Sequence, residues 1–259
     1  MKLDEHNISQ AQLKKWSKLD DAKTRREEGI FLAEGVKVVE ELLASDWEVN
    51  ALLIMPDKIK YWEKLPFGSV NKFPVYQLNR AQWQKIGQDR EPEGIMAVVR
   101  AKKLSSLSEA ISRTTGNFLI LHEINNPRNL GALMRSTHWF GFSGIILSAN
   151  SADYTNPKAV RASMGSLFHL TIVPEVDLST ALPEIKKSFL LIGSHIRKGL
   201  LPHAAQKRTA LLLGNESHGL PEELLKATDE QWSIAGSGKA DSLSLPQAAA
   251  IMMYECTKK

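Results

Sequence analysis

Residues 210–225, ALLLGNESHGLPEELL, determine the fold class of the second part of this 259-residue chain. An apolar run ends at Gly214, a polar loop follows, and Pro221 opens a segment with helical spacing. A continuous apolar run without alternation is typical of a strand that is covered on both faces in a parallel sheet. Proline and glutamate at the start of the next segment favour a helix there. The stretch therefore predicts a strand, a loop and a helix of an α/β fold.

The same arrangement recurs elsewhere in the second part of the chain. Apolar runs followed by segments compatible with a helix occur at residues 118–121, 144–147, 170–173, 189–192 and 210–213. This alternation predicts a parallel sheet with helices on its faces. Ligands of such sheets bind beyond the carboxyl ends of the strands, so these strand ends are the candidate site positions.

A second strand end lies in residues 121–142, LHEINNPRNLGALMRSTHWFGF. The pattern predicts Asn129 as the N-cap of a helix that runs to about Phe140. The apolar stripe of that helix leaves Arg135 on another face, one turn from Ala132 and from Trp139. Two interpretations of Arg135 remain open at this point: a surface cation–π pair with Trp139, or a functional group beside the strand end.

The polar loop of the opening stretch, residues 214–219, has glycine at both edges. Glycine at these positions indicates that the backbone passes close either to a ligand or to another segment of the chain. Glu216 is accordingly interpreted either as a buried structural carboxylate or as a site residue.

A third strand end lies in residues 233–255, SIAGSGKADSLSLPQAAAIMMYE. A strand predicted at 231–235 leads into a flexible Gly-Ser-Gly loop. Ser244, with Gln247 three residues further on, predicts a capping box at the start of a helix. That helix is apolar almost all round, which suits a subunit interface as well as a core.

The first hundred residues also alternate short strands with helices, and the polar residues 101–115 indicate a linker. The predicted domains are therefore 1–100 and 116–259, joined by 101–115. Basic and acidic residues balance in the first hundred, so the net charge of +4 lies in the remainder. Six basic residues nevertheless cluster at 14–26, either as a solvated helix face or as a surface that contacts RNA phosphates.

Composition excludes several classes of protein. A single cysteine, Cys256, excludes an intramolecular disulfide framework and a cysteine-built zinc site. No spacing of His, Asp and Glu predicts another metal site, and no apolar run approaches the roughly 20 residues that span a bilayer. The first residues also lack the apolar core of a signal peptide. These patterns predict a soluble, cytoplasmic protein without a metal or a membrane partner.

Together, the three strand ends resemble the motifs of the SpoU (TrmH-type) family of RNA 2'-O-ribose methyltransferases, in the SPOUT superfamily. The resemblance covers about residues 114–259. Its motifs are Asn129-x-Gly131-x-x-x-Arg135, then Gly214-Asn215-Glu216 with Gly219-Leu220, then Ser242-Leu243 with the Ala-rich helix that ends in Tyr254-Glu255. Residues 161–168 also resemble a usual family segment, and 31–43, FLAEGVKVVEELL, is more loosely similar to the substrate-binding domain that precedes many such catalytic domains.

The resemblance implies an α/β architecture in which a C-terminal parallel-sheet domain carries a deep trefoil knot and a smaller N-terminal α/β domain binds the substrate. It implies S-adenosylmethionine as the cofactor, a homodimer formed through the C-terminal domain, and structured RNA as the partner, with rRNA favoured and tRNA possible. The residues implied to bind the cofactor are Gly193, Ser194, His195, Gly214, Asn215, Glu216, Ile234, Gly236, Ser242 and Leu243. No Gly-x-Gly-x-x-Gly fingerprint, the sign of an ordinary dinucleotide site, follows any predicted strand.

The implied reaction transfers a methyl group to a ribose 2'-hydroxyl, with catalytic positions at Arg135, Asn129, Glu216 and Ser244. A guanidinium is a poor base because its pKa exceeds about 12. Arg135 is therefore interpreted as orienting the substrate phosphate and stabilising the developing oxyanion. The family has asparagine where this chain has Ser244, a departure that either changes the rate or the preferred nucleotide, or leaves only a helix cap.

Two other functions remain open on the sequence alone. One is a non-catalytic RNA-binding protein that retains the knotted fold, as the departure at Ser244 would permit. The other is a generic α/β enzyme for a small molecule, which requires the three motifs to be a coincidence.

Overall fold

A computed structural model describes residues 5–65, 73–103 and 106–258, and it divides into two compact units. The first unit contains the described residues up to Lys103 together with Asp153–His169. The second unit contains the remaining described residues. Among the described residues, no helix combines the length and the apolar character that crossing a bilayer requires.

The first unit is built on a mixed five-stranded sheet. Its strands, in the order β1-β4-β3-β5-β2, are β1 (Glu5–Asn7), β2 (Ile30–Glu34), β3 (Val49–Ile54), β4 (Val75–Gln77) and β5 (Ile95–Arg100). Strand β5 pairs antiparallel with β2 and β3, whereas β4 pairs parallel with β1 and β3. Its helices are α1 (Gln10–Trp16), α2 (Ala22–Glu28), α3 (Val36–Leu43), α4 (Ile59–Trp62), α5 (Arg80–Trp83) and α8 (Pro157–Ala162), with 3-10 turns at Ser17–Asp20, Pro56–Lys58 and Ser166–His169.

The segment Asp153–His169, which carries α8, packs within the first unit although 116–259 was predicted as one domain. A buried ion pair holds its start, because Arg25 Nη2 lies 2.6 Å from Asp153 Oδ2 and the Arg25 side chain is only 2% exposed. At its end, Phe168 packs edge-on against Trp47, with ring centroids 5.5 Å apart. Arg25 therefore belongs to the interior of the first unit and does not contribute to an RNA-contacting surface at 14–26.

The second unit contains a six-stranded sheet in which every pairing is parallel. This confirms the predicted α/β fold with a parallel sheet. Its strands, in the order β11-β9-β10-β6-β7-β8, are β6 (Phe118–Leu121), β7 (Gly144–Ser148), β8 (Thr171–Val176), β9 (Leu190–Ser194), β10 (Thr209–Leu213) and β11 (Glu230–Trp232). Every residue of β6, β7 and β10 is buried, which is why these strands read as continuous apolar runs.

The helices of the second unit are α6 (Leu107–Arg113), α7 (Pro127–Trp139), α9 (Leu178–Ile185), α10 (Glu222–Ala227) and α11 (Leu245–Thr257). The apolar side chains of α6, α9 and α10 form one core with the sheet, and α11 packs against α7. Helix α6 lies within the segment predicted as a linker and begins at the capping box of Ser106 and Glu109.

Three local predictions were wrong. The N-cap of α7 is Asn126 and not Asn129, because Pro127 fits the first helical position and the Asn126 side chain accepts a hydrogen bond from the Arg128 amide. Strand β11 ends at Trp232, earlier than the predicted 235. No helix follows β9, since the described residues 195–208 form an irregular loop that Gly199 and Pro202 interrupt.

Candidate active site

The candidate site is assembled at the carboxyl edge of the parallel sheet, within the second unit. Strands β11, β9, β10 and β6 are successive neighbours, so the segments that follow them emerge side by side. The residues predicted for the site lie at the end of β9, in the segments that follow these strands, on α7 or at the start of α11. This is the position at which open parallel sheets bind their ligands.

The first two motifs meet through a side-chain hydrogen bond. Asn129, in the first turn of α7, donates from Nδ2 to Oε1 of Glu216 across 2.9 Å. The neighbouring Asn215 donates from its own Nδ2 to the carbonyl oxygen of Glu123, 2.8 Å away. These bonds fix the loop after β10 against the loop that connects β6 to α7.

Glu123 is a residue of this site that the sequence did not single out. Its backbone is left-handed, with φ of 51°, and its amide donates to Ser148 Oγ at 2.8 Å. A non-glycine residue in this region costs free energy, which the hydrogen bonds from Asn215 and to Ser148 offset. Since this conformation leaves no pattern in the sequence, only the fold identifies it.

The glycine at the start of the loop after β10 faces another segment of the chain. A Cβ atom on Gly214 would overlap the backbone of Gly219 and Leu220, so a side chain there would open the loop. Inside the loop, Asn215 Oδ1 accepts the amide of Ser217 at 2.8 Å. Glu216 itself is exposed, which excludes the interpretation of a buried structural carboxylate.

Arg135 lies on the solvent-facing stripe of α7 with Arg128, Ala132 and Trp139. The guanidinium groups of Arg128 and Arg135 make no hydrogen bond or ion pair with any residue that the structure describes. Among the same residues, no cation–π contact joins Arg135 to Trp139. Arg128 was missed from the sequence, although its spacing of two helical turns, roughly 10 Å along the axis, places it on the same face. The two cations are therefore available to an anionic ligand.

The end of β9 and the residue that follows it lie close to neighbouring segments of the chain. A Cβ atom on Gly193 would lie 2.8 Å from Thr228 Cγ2, so that position has no space for a side chain. His195, one residue after Ser194, donates its amide to the carbonyl of Trp232 at 2.8 Å. This bond ties the loops that follow β9 and β11 together.

The segment 234–243, after β11, has a backbone that is open to a ligand. Within the described chain, none of its amide or carbonyl groups forms a hydrogen bond, and a Cβ atom on Gly236 would meet nothing within 4 Å. Backbone groups without protein partners must be satisfied by water or by a ligand. Leu243 adds an apolar side chain that is 47% exposed, beside Ser242. Open amides next to an exposed aliphatic group fit a nucleoside such as that of S-adenosylmethionine.

Ser244 is not brought into contact with the other catalytic positions. It caps α11 reciprocally with Gln247, whose Oε1 lies 3.3 Å from the Ser244 amide and 3.0 Å from its hydroxyl. Arg135 likewise makes no described contact with the Asn129–Glu216 pair. Across the described residues, no group of three or more His, Cys, Asp or Glu side chains is arranged to hold a metal ion.

Comparisons with known proteins agree with this architecture. The model of the SpoU rRNA Methylase family matches residues 116–254, and that of the MRM3-like substrate binding domain matches residues 10–97. The chain is 28% identical over 247 residues to the 23S rRNA (guanosine(2553)-2'-O)-methyltransferase RlmP of Bacillus subtilis (strain 168), covering 93% of this chain and 94% of that protein. It is 26% identical to the 23S rRNA (uridine(2479)-2'-O)-methyltransferase of Streptomyces viridochromogenes, covering 96% and 90%.

Solved structures show the same similarity over the length of the chain. The AdoMet-bound rRNA methyltransferase from Sinorhizobium meliloti is 25% identical, with a TM-score of 0.82 and coverage of 97% of this chain and 96% of that one. The SpoU methyltransferase AviRb from Streptomyces viridochromogenes, in complex with AdoMet, is 25% identical, with a TM-score of 0.81 and coverage of 96% and 98%. Because the family model spans more than half of the residues, this chain belongs to the SpoU rRNA methylase family.

Proposed function

We propose that this protein is an S-adenosylmethionine-dependent methyltransferase that modifies a ribose 2'-hydroxyl of RNA, with rRNA favoured as the substrate. The observation that carries the proposal is the Asn129–Glu216 hydrogen bond, which joins two family motifs at the ligand-binding edge of the sheet. Relatives named as 23S rRNA 2'-O-methyltransferases support the catalytic function over a non-catalytic RNA-binding protein. The AdoMet-bound neighbours support the cofactor.

The open loops of the second unit would hold the cofactor. The residues that would bind S-adenosylmethionine are Gly193, Ser194, His195, Gly214, Asn215, Glu216, Ile234, Gly236, Ser242 and Leu243. When bound, S-adenosylmethionine supplies a sulfonium methyl group that an alcohol oxygen can accept. The backbone amides of 234–243, which make no hydrogen bond within the described chain, would bind polar edges of the nucleoside, and Leu243 would cover an apolar face.

Arg135 acts on the RNA and not as a base. A guanidinium offers only hydrogen-bond donors, and that of Arg135 has no described protein partner that would compete for them. It donates hydrogen bonds to the phosphate beside the target nucleotide and to the 2'-oxygen as negative charge develops there. The 2'-hydroxyl proton leaves to a phosphate oxygen or to water. Asn129 and Glu216 shape the pocket through their hydrogen bond.

Ser244 is proposed as a helix cap that also borders the site. Its hydroxyl is already engaged by Gln247, so the donor and acceptor pair that the family asparagine would offer is missing here.

The proposed assembly is a homodimer formed through the second unit, with a deep trefoil knot in the carboxyl-terminal part of its sheet. The strand order supports the knot, because the chain returns from β8 to the far side of β6 before it forms β9 and β10. Exposed apolar residues on α7 and α11 support the dimer. The N-terminal domain, residues 1–100, would bind structured RNA, and the domain 116–259 would carry out catalysis. The protein would act in the cytoplasm.

Ribose-methylation mapping of total RNA tests this function. RNA from cells with and without the gene is compared at nucleotide resolution. We expect one 2'-O-methyl group to disappear from rRNA when the gene is deleted and to return when it is restored. Unchanged methylation in every RNA, together with no heat of S-adenosylmethionine binding at millimolar concentration, would refute the enzyme.

A further inference from the structure

The loop between β9 and β10, residues 195–208, has a composition that the proposed cofactor site does not explain. It contains four Lys and Arg residues and neither Asp nor Glu. It leaves the sheet at the same carboxyl edge as the Asn129–Glu216 pair, because β9 and β10 are parallel neighbours. The part that follows His195, residues 196–201, is named here the 196–201 loop.

The backbone of the 196–201 loop is held firmly against β11. The Leu200 amide donates to the Gln231 carbonyl at 2.8 Å, and the Ser233 amide donates to the Leu200 carbonyl at 2.9 Å. Gly199 has φ of +131°, and a Cβ atom there would overlap the Gln231 carbonyl, so only glycine permits this approach. His195 fixes the turn itself.

His195 organises the two basic residues of the loop. Its Nδ1 accepts the backbone amides of Arg197 and Lys198, each at 3.1 Å. Both amides are thereby satisfied inside the loop, and the two side chains project from a defined backbone. Because Nδ1 accepts these bonds, the ring carries its proton on Nε2.

The side chains on this ordered backbone are largely exposed to solvent. Ile196, Leu200 and Leu201 are 59%, 55% and 66% exposed. Arg197 and Lys198 are exposed as well, and their charged groups make no hydrogen bond or ion pair within the described chain. Ordering the backbone while leaving adjacent aliphatic groups in water costs free energy that burial does not recover. Such a surface is typical of a site that another molecule covers.

We propose that the 196–201 loop contacts the RNA substrate. Unpaired cations in a segment without carboxylates complement phosphate groups, and the neighbouring aliphatic side chains suit the faces of unstacked bases or sugars. Arg197 and Lys198 bind phosphates of the RNA backbone beside the target nucleotide, while Leu200 and Leu201 pack against the exposed nucleotide. This inference rests on the proposed RNA methyltransferase function and assigns part of its substrate recognition to residues outside the family motifs.

The charge contribution is tested with Arg197→Gln/Lys198→Gln in the full-length protein. Binding of 23S rRNA transcribed in vitro is measured as a function of salt, together with kcat, KM and the Kd for S-adenosylmethionine. We expect the slope of log affinity against log salt to fall by about 1.5 to 2, since two phosphate contacts are lost. The KM for RNA should rise while the Kd for the cofactor stays unchanged. Lys187→Gln/Lys226→Gln, two exposed lysines outside this edge, is the matched control and should behave as the wild type.

The apolar contribution is tested with Leu200→Ser/Leu201→Ser. We expect RNA affinity to fall about three- to tenfold at every salt concentration, with the salt slope unchanged, because apolar contact area and no charge is lost. Circular dichroism should match the wild type, since both side chains are exposed.

Three results would overturn the proposal in different ways. If both double variants bind and methylate RNA as the wild type does, the 196–201 loop makes no RNA contact. If Leu200→Ser/Leu201→Ser dissociates a dimer and leaves RNA binding intact, a second copy of the chain covers the loop. If the wild type binds S-adenosylmethionine but neither binds nor methylates RNA, the proposed function fails, and this inference fails with it.

Discussion

Arg135 is the residue on which the proposed chemistry depends most directly. Arg135→Ala should lower the rate of methyl transfer by about 10²- to 10³-fold, because it removes the donors that stabilise the developing oxyanion. The Kd for S-adenosylmethionine should stay near the wild-type value, since the Arg135 side chain makes no hydrogen bond or ion pair with the described residues of the cofactor loops. Single-turnover transfer of labelled methyl groups and calorimetry measure the two quantities.

The matched control for this substitution is Arg113→Ala. Arg113 is an exposed arginine at the end of α6, where it pairs with Glu109 at 3.7 Å. Its removal should leave transfer unchanged. Equal activity of the Arg135 and Arg113 variants would remove Arg135 from the mechanism.

Substitutions of Ser244 distinguish a catalytic role of this residue from a role as the helix cap alone. Asparagine is as good an N-cap as serine, so Ser244→Asn should preserve the stability of α11 within about 0.5 kcal/mol. If the position also faces substrate, the restored amide should change the rate or the preferred nucleotide. Ser244→Ala is the comparison, because it loses the contact with Gln247 and should lower the free energy of unfolding by about 1 kcal/mol. An Asn variant with unchanged kinetics would reduce Ser244 to a cap.

At the scale of elements, the Arg25–Asp153 pair holds the segment of α8 within the first unit. Burial favours the neutral form of Asp153, but hydrogen bonds from Thr155 and Arg25 outweigh it and lower the carboxyl pKa below its ordinary value. The pair therefore stabilises the folded state above the unfolded pKa of about 3.9, and this contribution is lost as the pH falls through the folded pKa.

Asp153→Asn should therefore destabilise the protein at neutral pH. The expected loss is about 3 kcal/mol, because Arg25 is left buried without a counter-charge. Urea unfolding from pH 7 to pH 3 should show the difference between wild type and variant shrinking below about pH 4. Asp57→Asn, at an exposed position, should track the wild type throughout. A difference that stays constant with pH would contradict the role given to the carboxylate.

The strands of the second unit could be predicted to within a few residues, whereas the grouping of α8 could not. Continuous apolar runs identify β6, β7 and β10 because both sheet faces are covered. Arg25 and Asp153 lie far apart in the chain, and neither residue signals the other. The choice between Asn126 and Asn129 as the cap of α7 depends on Pro127, a local signal in the sequence that favours Asn126.

The sequence motifs indicate which residues belong to the candidate site, but they do not predict the contacts between those residues. The family motifs point to Asn129 and Glu216, yet their hydrogen bond depends on the register of β6 against β10. Arg128 could have been found from helical spacing alone. The left-handed Glu123 could not, because nothing in its neighbours' identities requires that conformation.

At the scale of the whole chain, ion pairs involve several basic residues of the 14–26 cluster, which the sequence also allows as a surface that contacts RNA phosphates. In the basic cluster at 14–26, Arg25 is buried in an ion pair, while Lys15 and Lys23 pair with Glu28 and Glu27. These contacts favour a structural, solvated helix face over RNA binding for that cluster. Arg128 and Arg135 on α7, and Arg197 and Lys198 in the 196–201 loop, make no ion pair with any described residue, and they lie in the part of the chain that carries the net positive charge.

The proposed homodimer depends on an apolar surface formed by α7 and α11. Trp139 is 83% exposed, and Tyr254 and Ile251 are 52% and 39% exposed, although α7 and α11 pack together and the rings of Phe140 and Tyr254 lie 6.3 Å apart. A cluster of aromatic and aliphatic groups of this kind is typical of a subunit interface. Trp139→Glu/Ile251→Glu should place two charges on that surface and prevent association.

Sedimentation velocity measures this outcome. The wild type should sediment as a dimer of 28.9 kDa chains, and the double variant as a folded monomer. Tyr61→Glu is the matched control, because Tyr61 is 47% exposed on α4 in the first unit and should leave the dimer intact. Since the α7 face also presents Arg135, methyl transfer should weaken in the monomer more than cofactor binding does. A wild type that remains monomeric at micromolar concentration would assign the exposed face of α7 to RNA instead.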